Sequence, residues 1–211
     1  MNKTIKSAAI AAGLALVATS ASAIDIAENG GFETGDFTGW DVFPNAGSAM
    51  VTTLNPSTGT FAANVAVAGG AGNALIKNTV GAGMLIPGSS VTISFDARGA
   101  TADGGVAFAE LFSELAGGGV SSSEILGGGP LALAADPDVW TSFSFTTTLG
   151  PDVSGGLTVQ FVAVCGAATT CNSDLYFDNL EIEVQAIPVP AAVWLFGSAL
   201  GALGFGARRR G

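Results

Sequence analysis

Apolar and polar residues alternate with period two at several places in the middle of this chain. Val91-Thr92-Ile93-Ser94-Phe95, Phe143-Ser144-Phe145-Thr146, Leu157-Thr158-Val159-Gln160-Phe161 and Leu180-Glu181-Ile182-Glu183-Val184 each send apolar side chains to one face and polar ones to the other. That is the pattern of half-buried β-strands. Ala49–Leu54, Phe61–Val67, Ala74–Val80 and Val106–Phe112 predict further strands. The stretches Gly69–Gly72, Gly81–Gly83, Gly117–Ser123, Gly127–Pro130 and Ser154–Gly156 read as turns, and Leu131–Asp136 as a helical turn. Many short alternating strands separated by glycine turns predict an all-β fold, an antiparallel β-sandwich over residues 24–186.

The pattern changes at both ends. Lys3 and Lys6 precede the apolar run Ser7–Ala18, and Ala21-Ser22-Ala23 has the small-x-small form of a cleavage site. Residues 1–23 therefore read as a secretory signal peptide, a short helix removed by signal peptidase to leave Ile24 first. Near the other end, the uncharged run Pro190–Ala207 is followed by Arg208, Arg209 and Arg210. As a helix this run would extend about 27 Å, close to the roughly 30 Å hydrocarbon core of a bilayer. The arginines would hold the cytoplasmic side.

With these ends set aside, the body holds all seventeen acidic residues against two bases, Lys77 and Arg98, formally −15. So acidic a surface has no electrostatic footprint for nucleic acid. The chain has no histidine, which excludes a Ser-His-Asp triad, a Cys-His pair and any histidine-ligated metal. No GxSxG motif and no phosphate-cradling glycine loop is present. Glu110 and Glu114 share one face of a strand and are the carboxylates that a glycosidase reading would use. Asp136 and Asp138 flank Pro137 in a turn. Cys165 and Cys171, closely spaced in an exported chain, read as a disulfide. Trp40 and Trp140 read as core anchors, and Tyr176 as outward-facing.

Three segments carry resemblance to known families. The tail Ile187-Pro188-Val189-Pro190-Ala191-Ala192, with Trp194, Gly197, Ser198 and the Arg208–Arg210 cluster, resembles PEP-CTERM sorting signals in their VPLPA-CTERM variant. Ile187 and Val189 depart from the usual Val and Leu. The resemblance implies a transmembrane sorting helix, transient anchoring in the inner membrane and cutting near Pro-x-Pro by an exosortase. Asn29-Gly30-Gly31-Phe32-Glu33 through Gly39-Trp40 and Tyr176-Phe177-Asp178-Asn179-Leu180 resemble the first and last strands of jelly-roll carbohydrate-binding-module and galactose-binding-like domains. That resemblance implies a jelly roll and a structural calcium ion, with Glu33 and Asp178 as first ligands and Asp25 or Glu28 assisting.

These readings converge on an exported cell-surface or extracellular-matrix protein, with a non-enzymatic sandwich that acts structurally or in adhesion. A glycan-binding module for exopolysaccharide and a carboxylate glycosidase are the alternatives.

Overall fold

The computed structural model describes residues 23–185. Most of the proposed signal peptide, including Ala21, and the tail motif from Ile187 to Arg210 lie outside the described residues. Eleven strands follow one another: β1 (Ala23–Asp25), β2 (Trp40–Phe43), β3 (Ser48–Thr52), β4 (Ala62–Ala68), β5 (Gly72–Val80), β6 (Ser90–Ala102), β7 (Val106–Glu114), β8 (Val120–Ile125), β9 (Thr141–Thr148), β10 (Gly156–Cys165) and β11 (Asn172–Gln185). They form two antiparallel sheets. One runs β3-β4-β11-β6-β9, with β1 also pairing β11; the other runs β2-β5-β10-β7-β8. The architecture is a β-sandwich, and among the described residues no helix is long and apolar enough to cross a membrane.

Each sheet presents one apolar face to the other. On β7 the inward positions Ala107, Ala109 and Leu111 are buried while their neighbours are half-exposed. Phe161 of β10 stacks on Phe177 of β11, rings nearly parallel and centroids 4.3 Å apart. Phe95 packs on Phe161 at 4.7 Å, and Trp40 stacks on it at 5.9 Å. These rings join Ile76, Ile93, Val65, Leu175 and Ile182 in one core.

The glycine-rich opening motif folds on itself before the first long strands. Asn29 adopts a left-handed backbone (φ 50°), a conformation asparagine tolerates better than most residues. Its side-chain nitrogen donates to Thr34 Oγ1 (2.8 Å) and to the carbonyls of Asp36 (3.1 Å) and Thr38 (3.0 Å). Trp40 Nε1 donates back to the Asn29 carbonyl (3.2 Å). This closed loop drives Phe32 and Trp40 into the core. Leu180 N donates to the Gly30 carbonyl at 3.0 Å. A Cβ on Gly30 would lie 1.9 Å from the Leu180 carbonyl oxygen, so only glycine fits where opening and closing motifs meet.

Three expectations need correction. Gly117–Ser123 is not all turn: β8 starts at Val120 and pairs with β7, its serines giving no apolar alternation. Leu131–Asp136 is not helical; the one short 3-10 turn among the described residues is Leu126–Gly128, overlapping the Gly127–Pro130 stretch read as a turn. Trp140 is not a core anchor. It lies half-exposed beside Arg98 on the outer side of the six-stranded sheet, while Trp40 is buried.

A disulfide joins Cys165 to Cys171, closing the turn between β10 and β11, the middle strands of the two sheets. Replacing both cysteines by serine is expected to lower unfolding free energy by about 2 kcal/mol, the chain-entropy value for so short a loop. Urea unfolding of variant and parent checks this; equal midpoints would show that the bridge adds nothing.

Candidate functional site

The outer face of the five-stranded sheet is assembled by register. Asp41, Lys77, Gln160, Glu110 and Ile125 lie in one row across β2, β5, β10, β7 and β8. Phe43, Leu75, Val162 and Phe108 form the adjacent row, and Thr79, Thr158, Phe112 and Ser123 the row on the other side. Directly opposed residues in antiparallel strands share a face. The floor along β10 is buried, whereas Phe43 is 43% exposed and Phe108 and Phe112 are half-exposed. The result is a broad apolar and aromatic surface crossed by a polar strip.

Within that strip, Gln160 Nε2 donates to Glu110 Oε2. Thr158 Oγ1 donates to Glu114 Oε1 (2.7 Å) and shares a hydrogen bond with Thr79 (2.8 Å). Glu110 and Glu114 thus share the outer face, each with a partner on β10. Lys77 Nζ sits 5.5 Å from the Phe43 ring centre and 5.7 Å from that of Phe112, within cation–π range of both. Among the described residues no carboxylate forms an ion pair with it. Sequence reasoning passed over Phe43, Phe108 and Phe112. The signal was present in β7: Val106, Phe108, Glu110, Phe112 and Glu114 share one parity, while the other parity carries small Ala107 and Ala109. The bulk sits on the face turned away from the core.

The outer face of the six-stranded sheet is closed by a cation. The Arg98 guanidinium carbon lies 3.8 Å from the Tyr176 ring centre and 5.2 Å from that of Trp140. Its terminal nitrogens donate to the carbonyls of Leu54 (2.9 Å) and Pro137 (3.3 Å) and to Asp138 Oδ1 (3.3 Å). Arg98 is 3% exposed. Tyr176 does face outward, beneath this guanidinium. Asp138, beyond Pro137, belongs to the arginine's clamp on two loops.

The four carboxylates expected at a calcium ion occupy different positions. Asp178 Oδ2 accepts from the backbone of Ser57 (2.8 Å) and Thr58 (3.2 Å). Glu33 Oε1 accepts from Thr60 (2.9 Å) and Phe61 (3.0 Å). Both flank Gly31, where a Cβ would lie 3.6 Å from Glu33 Cγ and 3.8 Å from Asp178 Oδ1. Asp25 instead accepts from Ala27 (3.0 Å) and Ile182 (2.8 Å), and the Glu28 side chain lies against Gly39. Among the described residues no three histidine, cysteine or carboxylate side chains gather as a metal cage. As placed, Asp25, Glu33 and Asp178 each accept backbone N–H groups.

Beside this corner lies a cavity of about 610 Å³ lined by Asp25, Gly30, Thr58, Asp96, Asn179 and Glu181 among others. Burial works against the charge on Asp96, but the hydroxyls of Ser142 and Ser57 and the amide of Asn179 outweigh it and hold the carboxyl below its usual range. Burial pushes Asp178 the other way, above that range, against the backbone donors of Thr58, Asn179 and Ser57.

No family model matches the chain, and no curated protein matches it in sequence. Solved structures do. The module TmCBM61, in complex with β-1,4-galactotriose, superposes with TM-score 0.52 at 16% identity, over 77% of this chain and 99% of that one. The CBM22-1 xylan-binding domain of Paenibacillus barcinonensis Xyn10C gives 0.54 at 11%, over 81% and 99%. A Stig cyclase from Fischerella sp. TAU gives 0.56 at 18%, over 79% and 100%. A tailspike domain of bacteriophage CBA120 gives 0.57 at 11%, over 75% of this chain, which spans 21% of that one. At these identities the likeness is one of fold, and the fold serves binding modules and enzymes alike.

Asp96 and Asp178 predict opposite responses to acid. The lowered value of Asp96 adds stability above the unfolded-state value near pH 4, lost as pH falls through the folded value. The raised value of Asp178 costs stability above the unfolded value, and acidification relieves that cost. Asp96→Asn should therefore flatten the acid decline in melting temperature relative to the parent, and Asp178→Asn should steepen it. Thermal melts across the acid range read both; parallel curves would contradict the assignment.

Proposed function

We propose that this chain is an exported, non-enzymatic β-sandwich that binds a polysaccharide along the outer face of its five-stranded sheet. The observation that carries this reading is the set Phe43, Phe108 and Phe112 arranged around Lys77, Gln160 and Glu110. Sugar rings offer apolar C–H faces that pack on aromatic rings. Their hydroxyls pair with amide and charged side chains, and hydrogen bonds to ionised groups are the stronger ones. Phe43 and Phe108 stand three strands apart in one row, about 14 Å at ordinary strand spacing, so the face suits an oligosaccharide segment better than a single ring. The shared fold with a galactotriose complex and a xylan-binding domain supports the same reading.

Titration of the exported protein against soluble xylan, galactan and the producing cell's exopolysaccharide tests it. Phe112→Ala and Lys77→Ala are each expected to weaken binding about tenfold, equivalent to about 1.4 kcal/mol. Binding that survives both changes together, or binding to none of the polymers, would overturn the reading.

The proposal includes sorting. The PEP-CTERM-like tail is a handle, discarded by an exosortase after export and before the body reaches the cell surface or matrix. Intact-mass measurement of the exported protein is expected to show Ile24 first and Arg208–Arg210 gone. A C-terminus still bearing the arginines would contradict processing.

A further inference from the structure

We propose that the free edge of β9 pairs antiparallel with β9 of a second copy, joining two sandwiches through one continuous sheet. Strand β9 bonds to β6 along one side, and among the described residues no strand pairs with the other. A row of unpaired backbone N–H and C=O groups is a template for another strand unless charge, proline, a bulge or shortness blunts it. The other edges are blunted: β1, β2 and β3 have three, four and five residues, and β8 has a register irregularity and carries Glu124. Strand β9 runs eight residues, TSFSFTTT, in unbroken register.

Three further observations favour a second copy as the occupant. The body is strongly acidic, yet no charged residue falls between Asp138 and Asp152, so the strand itself brings no charge to the edge, and the carboxylates beside it, Asp96 and Glu124, are each held by a β9 hydroxyl, Ser142 and Thr147. Phe143 and Phe145 pack against the core but stay half-exposed there. The strand is also complementary to itself. Opposed residues must share a face, so a two-fold axis has to pass midway between a residue and its own copy. Centred on Ser144, it sets Phe143 against the second copy's Phe145, Ser142 against Thr146 and Thr141 against Thr147. Apolar meets apolar and hydroxyl meets hydroxyl from Thr141 to Thr147. The contact is closed, since each copy spends its one long edge, so assembly stops at two.

Cysteine placement in the exported protein reads the register. Opposed residues lie about 4.5–5.5 Å apart at Cα, inside the range a disulfide can bridge. Ser144→Cys is therefore expected to give a covalent dimer under mild oxidation. Ser142→Cys alone should give none, because its own copy lies four residues along, and Ser142→Cys with Thr146→Cys should restore it. Sedimentation of Ser144→Lys and Ser144→Asp gives a second reading that needs no new thiol: each alone is expected to be monomeric, and their equal mixture dimeric. A parent protein that sediments as a monomer, or cross-linking equal at 142 and 144, would overturn the proposal.

Discussion

The stacking of Phe161 on Phe177 is the contact on which the rest of the structure depends. Each ring stands on the middle strand of its sheet, so bringing them face to face sets the spacing of the two layers. It also fixes parity. With Phe161 inward, Thr158, Gln160 and Val162 must face out and form the floor of the candidate face. With Phe177 inward, Tyr176 must face out under Arg98. A one-residue slip of either strand would exchange the two sets.

The body also shows how a strongly acidic chain satisfies its carboxylates with few basic side chains. The one ion pair among the described residues is Arg98 with Asp138. Asp25, Glu33 and Asp178 accept backbone N–H groups, and Asp96 accepts hydroxyls and an amide. Such hydrogen bonds to ionised acceptors are among the stronger ones a protein makes, and here they tie loops to strands. Lys77 is the base left on an open surface, which makes it the distinctive donor of that face.

Much of the sandwich was legible because alternation is written directly into β6, β9, β10 and the end of β11. The opening motif was legible too, since Gly30 is required where Leu180 approaches. What stayed hidden was partnership between distant residues. Trp140 reads as an apolar anchor, but Arg98, forty-odd residues away, draws it to the outer surface. The serines of β8 carry no alternation, and only pairing with β7 makes them a strand. Phe108 and Phe112 were hidden for a different reason. Phenylalanine suggests interior, and only the small size of Ala107 and Ala109 shows which parity faces the core.

The pairing of β1 with β11 sets Ile24 opposite Val184 and Asp25 opposite Glu183. The first and last strands therefore begin and end at the same corner of the sandwich. A load pulling the two ends apart would meet the rungs between these strands one at a time, as a zipper does, rather than all together in shear. Tension between its ends would open this domain from that corner inward. A load carried across the broad sheet face would leave the corner unstressed.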